Sequence, residues 1–171
     1  MGMQTIEELF EHELKDIYGG ETSLLDALDQ MANESSDKEI KKAFQQHRKE
    51  TQGHIKRLEK IFKSMGQKPE AATCAGIEGL IKEKKLFMKE RPSDDLLEFF
   101  NVGAGQKTER YEITAYESLI DMADKLGMTD AVELLEQTLQ EEEATLNKLK
   151  MIASEFDVNE EMEEEEEEEP A

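Results

Sequence analysis

From Thr5 onward, apolar side chains recur every three or four positions, at Ile6, Phe10, Leu14, Ile17, Leu24, Leu28 and Met31. That spacing is the stripe of one helix face. Thr5 and Glu8 stand three apart in the order of a capping box, so a first helix is expected over about residues 5–33. Gly19-Gly20 interrupts it at about 1 kcal/mol per glycine relative to alanine, so a close approach is expected there. Ser36 and Glu39 repeat the capping box, and Ile40, Ala43, Phe44, Ile55, Leu58, Ile61, Phe62 and Met65 carry a second helix to its stop at Gly66. Residues 66–76 read as a loop. A shorter helix is predicted at about 76–90, ending before Arg91-Pro92, where proline restricts the residue ahead of it. Ser93 caps a long helix to about Leu126, Gly127 stops it, and Thr129 caps a last helix to about Phe156.

The connections at residues 34–36 and 127–129 are too short for anything but antiparallel neighbours. Two hairpins joined by one long connection that carries a short helix give the expected fold. It is all-α: a ferritin-like four-helix bundle of two antiparallel hairpins, with an additional short helix in the crossover. Each long helix of nearly 30 residues would span about 40 Å. The bundle accounts for residues 1–156. Residues 157–171, ending EEMEEEEEEEPA, form an acidic tail that repels itself and is expected to be disordered.

Composition supports helices over sheets: charged and hydrophobic residues each make up 37% of the chain, aromatics only 6%. The net charge is −21, and Glu155 to Glu169 holds eleven acids with no Lys or Arg, which leaves about −10 for the rest. Such a surface repels phosphate backbones and anionic lipid, so no nucleic-acid or membrane partner is expected. It attracts cations. The tail itself suits a basic protein partner or simple solubility. Cys74 is the single cysteine, which points to a reducing, cytoplasmic compartment. The opening MGMQTIEELFEHELKD carries charge too early for a signal peptide.

The core faces carry chemistry that packing does not call for. At about 100° per residue, Glu13 and Glu21 fall within about 40° of the apolar centre of the first helix, and Asp16 lies on its flank. His47, Thr51 and His54 lie inside the second stripe, with Glu50 beside it. Glu109, Glu112 and Tyr116 lie inside the fourth, and Thr138, Glu142 and Thr145 inside the last. A carboxylate or imidazole in a bundle core loses several kcal/mol of hydration unless it is paired, and clustered carboxylates repel or take up protons. A cation removes both penalties. Ferritin-like di-metal sites use one Glu from each of two helices and a Glu-x-x-His pair from each of the other two. The 127–129 turn sets Glu109, Glu112 and Glu142 at one height. In the first hairpin Glu13 is expected near His54, Asp16 near Glu50, and Glu21 near His47 or Arg48. Two polar levels are open there, with either histidine as the ligand.

The segments EHELKDIYGGETSLLDAL, QQHRKETQGHIKRLEKIF, QKTERYEITAYESLIDMADKLG and LLEQTLQEEEATLNKL, with the loop TCAGIEGLI, resemble the YciF family of bacterial stress-response proteins within the ferritin-like superfamily. The resemblance covers about residues 5–154. It implies a homodimer of five-helix subunits with a dinuclear iron or manganese site. Carried over position by position, it implies Glu13, Asp16, His47, Glu50, Glu109, Glu112 and Glu142 as ligands, with Glu21 and His54 as secondary candidates. One departure stands out: where Glu-x-x-His is expected on the last helix, the chain has Glu142-Glu-Ala-Thr145. The function expected is that of a stress protein handling iron or peroxide, as a ferroxidase-like or catalase-like di-metal oxidoreductase if it turns over. The alternative is a non-enzymatic helical dimer acting through its surfaces with weak metal binding or none.

Overall fold

The computed structural model describes residues 2–156. Among these are five α-helices: α1 (Ile6–Glu34), α2 (Lys38–Ser64), α3 (Ala75–Phe87), α4 (Asp94–Lys125) and α5 (Thr129–Glu155). A 3-10 turn, Met88–Glu90, follows α3. The tail expected at 157–171 lies outside the described residues. No helix among those described is long and apolar enough to cross a membrane.

The caps explain the boundaries. Thr5 and Glu8 form the expected capping box at the start of α1. At α2 the cap is Asp37 and not Ser36. The Asp37 carboxylate accepts from the amides of Glu39 and Ile40 at 2.6 and 3.0 Å. Ser36 instead donates to Glu98 of α4 at 3.0 Å, so the turn is tied to the second hairpin. Ser93 caps α4 as expected. Thr129 is the first residue of α5 and caps nothing; the N-cap position is Met128. The stops at Gly66 and Gly127 have φ of +72° and +69°. Each closes a Schellman motif: Gln67 N–H donates to Phe62 O, and Met128 N–H to Ala123 O, both at 2.9 Å.

The hairpins α1–α2 and α4–α5 pack with α1 against α4 and α2 against α5, and α3 covers the α1–α4 groove. The close approach expected at Gly19-Gly20 is made by the crossover. Ala72 N–H donates to Lys15 O at 3.0 Å, and a Cβ on Gly19 would sit 1.7 Å from Ala72 O. The apolar interior is in two parts. One holds Phe10, Leu14, Ile17, Leu58, Phe62, Leu119 and Leu135. The other holds Leu24, Leu28, Phe44, Ile77, Val102 and Leu149. Between them, near the midpoint of all four long helices, lies a layer of buried polar side chains.

Candidate metal centre

The polar layer is built from one or two residues of each long helix. Glu21 comes from α1, His47 and His54 from α2, Glu109 and Glu112 from α4, and Glu142 from α5; Glu21, His54, Glu109, Glu112 and Glu142 are 0% exposed and His47 2%. Helical periodicity puts them there: His47, Thr51 and His54 are one face of α2, while Glu109, Glu112 and Tyr116 are one face of α4. The side chains form two overlapping groups, His47–Glu109–Glu112–Glu142 and Glu21–His54–Glu142. Within each group the donor atoms lie within 4.8 Å of one another, and Glu142 belongs to both.

The contacts are short but wrongly directed for hydrogen bonds. His47 Nε2 lies 3.1 Å from Glu109 Oε1 and 3.6 Å from Glu142 Oε2. His54 Nδ1 lies 3.2 Å from Glu21 Oε1 and 3.1 Å from Glu142 Oε1. Yet those histidine nitrogens, and both carboxylate oxygens of Glu109, Glu112 and Glu142, have no hydrogen-bond partner in good geometry. Orphaned buried polar atoms are rare and costly. Here they cluster, with the donor atoms of each group within 4.8 Å of one another. Carboxylate oxygens and imidazole nitrogens are donors for iron, manganese or zinc, so the residues fit a bound metal.

Electrostatics gives the same picture. Burial, reinforced by the charge of Glu142, pushes the Glu109 and Glu112 carboxyls well above the usual carboxylate range. Burial works against a charged His54, but the carboxylates of Glu21 and Glu142 outweigh it and push its pKa up to about 11. Burial would raise Glu142, yet the neighbouring His47 and His54 rings hold it below the usual range. Without a cation the layer holds its charge balance with protons.

A ring of partners surrounds the layer. His54 Nε2 is 2.9 Å from Glu141 Oε2, and Arg57 grips Glu141 with two bonds of 2.8 and 2.7 Å. Arg57 also donates to Thr138 at 3.1 Å. Tyr116, itself fully buried, donates a short hydrogen bond to Glu21. Nothing in the pattern of residues along the chain singles out Glu141 or Arg57. Glu141 is one of three consecutive glutamates, and only the register of α5 against α2 distinguishes it.

The remaining sequence candidates lie elsewhere. Glu13 is 40% exposed and 3.1 Å from His12. Asp16 is half-buried beside Cys74 and raises its thiol pKa, although burial does so more. Both lie outside the two donor groups. Glu50, also half-buried, accepts from Gln46 at 2.8 Å and from Thr145 at 3.2 Å. Its charge still reaches Glu109. Thr145, at the position where a histidine was expected, donates to Glu50.

Residues 5–163 match the family described as a domain of unknown function, DUF892. Protein YciF of Escherichia coli strain K12 is 36% identical over 154 residues, covering 90% of this chain and 93% of that one. The chain belongs to the YciF (DUF892) family. The crystal structure of the E. coli stress protein YciF superposes with a TM-score of 0.83 over 88% of this chain and 96% of that one. A Rhodopseudomonas palustris protein named YcfI gives 0.83 at 38% identity, over 86% of this chain and 94% of that one. The fold reaches further: a two-domain Anabaena variabilis protein with DJ-1-like and ferritin-like domains matches with a TM-score of 0.62 at 19% identity, over 90% of this chain and 38% of that one. The bundle is thus a member of the ferritin-like folds.

Proposed function

We propose that this YciF-family chain is a ferritin-like stress protein whose polar layer holds two ions of iron or manganese. The observation that carries the reading is the convergence of orphaned, buried carboxylate and imidazole atoms into two groups that share Glu142. In this reading Glu142 would be shared by the two positions. His47, Glu109 and Glu112 would hold one of them, and Glu21 and His54 the other. Two redox-active ions would supply the electrons for reducing O₂ or peroxide, or the centre would sequester iron. Tyr116 fixes the carboxylate of Glu21 by its hydrogen bond, and the apolar clusters above and below exclude bulk water. Glu50 stands outside as an acidic neighbour, and Glu13 and Asp16 have no part in the centre.

Metal analysis of protein purified from iron- or manganese-supplemented cells tests the proposal. About two ions per chain are expected, falling by at least one in Glu142→Ala, because that change removes the shared ligand. Metal-free protein with unchanged melting in chelator would refute it. If the metal is present, peroxide consumption and Fe²⁺ oxidation separate a catalyst from a store. The alternative is a helical dimer acting through its surfaces. Thr145 favours it, since that position adds no nitrogen ligand on α5, and chelator-resistant stability would be its signature.

A further inference from the structure

A pocket of about 200 Å³ opens between α2 and α5, lined by Ala43, Gln46, His47, Glu50, Thr145 and Lys148 among others. Its rim is solvent-exposed at Gln46, Ala144 and Lys148, whereas His47 is buried. His47 belongs both to this pocket and to the donor group with Glu109, Glu112 and Glu142. One side chain therefore stands between solvent and the buried layer. Its Nδ1 has no hydrogen-bond partner.

We infer that this pocket is the port by which a divalent cation reaches the buried centre, with Glu50 as its transit ligand and His47 as the inner gate. The inference rests on the metal-centre reading above. The wall composition supports it. Ala43, Ala144 and Thr145 are small, so the α2–α5 seam stays open where larger side chains would close it. A histidine at 145 would fill this space. Thr145, at the position where a histidine was expected, leaves this path open. The Thr145 hydroxyl and the Gln46 amide both donate to Glu50, which fixes its carboxylate at the port while its charge is felt at Glu109. A cation leaving water at the rim thus meets first one carboxylate, then an imidazole, then the inner carboxylates. A volume of this size has room for an ion that keeps several waters. Lys148 at the rim is the opposing element, since its positive charge repels an approaching cation.

The test is the rate at which metal-free protein takes up Co²⁺, followed by the visible absorption the ion acquires in a carboxylate–histidine site. Ala144 is exposed, so Ala144→Trp should narrow the port without disturbing the core. Uptake is expected to slow about tenfold or more at unchanged final stoichiometry. Glu50→Gln should slow it as well, and Lys148→Glu should speed it several-fold. Ala27→Phe, in the separate groove beneath α3, should leave the rate unchanged. Wild-type rates in both Ala144→Trp and Glu50→Gln would overturn the port while leaving the centre intact. No uptake at all by the unaltered chain would overturn the centre, and the port with it.

Discussion

The two nitrogens of His54 face different chemistry. Burial raises the Glu141 carboxyl, but the paired bonds from Arg57 outweigh this and hold it below the usual range. An ionised Glu141 accepts hydrogen bonds, so His54 Nε2 must be the donor. That leaves Nδ1 turned to Glu21 and Glu142. In metal-free protein Nδ1 carries a proton that balances those two carboxylates. A cation bound there would displace it and take the same lone pair. Arg57 and Glu141 would then position a ligand without touching the ion, as outer partners of metal-bound histidines do. Glu141→Leu is expected to weaken metal binding by about 10–100-fold. Glu141→Gln should weaken it less, because the amide oxygen still accepts from Nε2. Titration calorimetry with Mn²⁺ checks the order, and equal affinity in both variants would deny Glu141 this role.

At the scale of the helices, two glycines that interrupt otherwise regular runs make opposite predictions. Gly19 in α1 leaves no space for a Cβ, because the backbone of Ala72 occupies it. Gly19→Ala gains about 1 kcal/mol of helix propensity but forces the crossover outward, an overpacking cost of about 1–3 kcal/mol. The net expectation is a lower melting temperature. Gly53, in the middle of α2, has nothing within 4 Å of the point where a Cβ would stand. Gly53→Ala should stabilise by up to about 1 kcal/mol. Thermal melts of the two variants, run side by side, decide both. The same helices show what sequence could and could not convey. Stripes, stops and the short turns predicted all five helices and the trio Glu109, Glu112 and Glu142. The register of the first hairpin was less legible. With the turn placed at 34–36, Glu13 stood level with His54, whereas the structure brings Glu21 there. The turn in fact spans residues 35–37. Side chains also lean toward the N-terminus of their own helix, so in an antiparallel pair both contacts shift the same way, by about one position on each helix. Together these displace the pairing by more than a turn. That leaves Glu13 and Asp16 outside the polar layer, with Asp16 beside Cys74 of the crossover.

Across the whole molecule, the polar layer links four helices while carrying charge that their apolar surroundings disfavour. In metal-free protein, protons resolve the conflict. Glu109 and Glu112 hold theirs well above the ordinary range because burial and neighbouring carboxylates oppose ionisation. His54 holds its own up to about 11. All three bind protons more tightly folded than unfolded. Their contribution to stability is thus whole below the unfolded values, 4.5 for the glutamates and 6.5 for histidine, and is lost as pH rises through the folded ones. Glu142 has the opposite sign. Its folded pKa is depressed, so its contribution is present above 4.5 and is lost only in acid. From about pH 6 to pH 10 the first set governs, and chelated protein is expected to lose thermal stability steadily over that window. Cations bound at the layer would compete with the same protons and neutralise the same carboxylates, so loaded protein should resist the loss. The gap between loaded and chelated melting temperatures should widen as pH rises. Paired scanning calorimetry across the range measures it, and a gap that stays constant with pH would mean that the layer's protons and the metal do not occupy the same atoms.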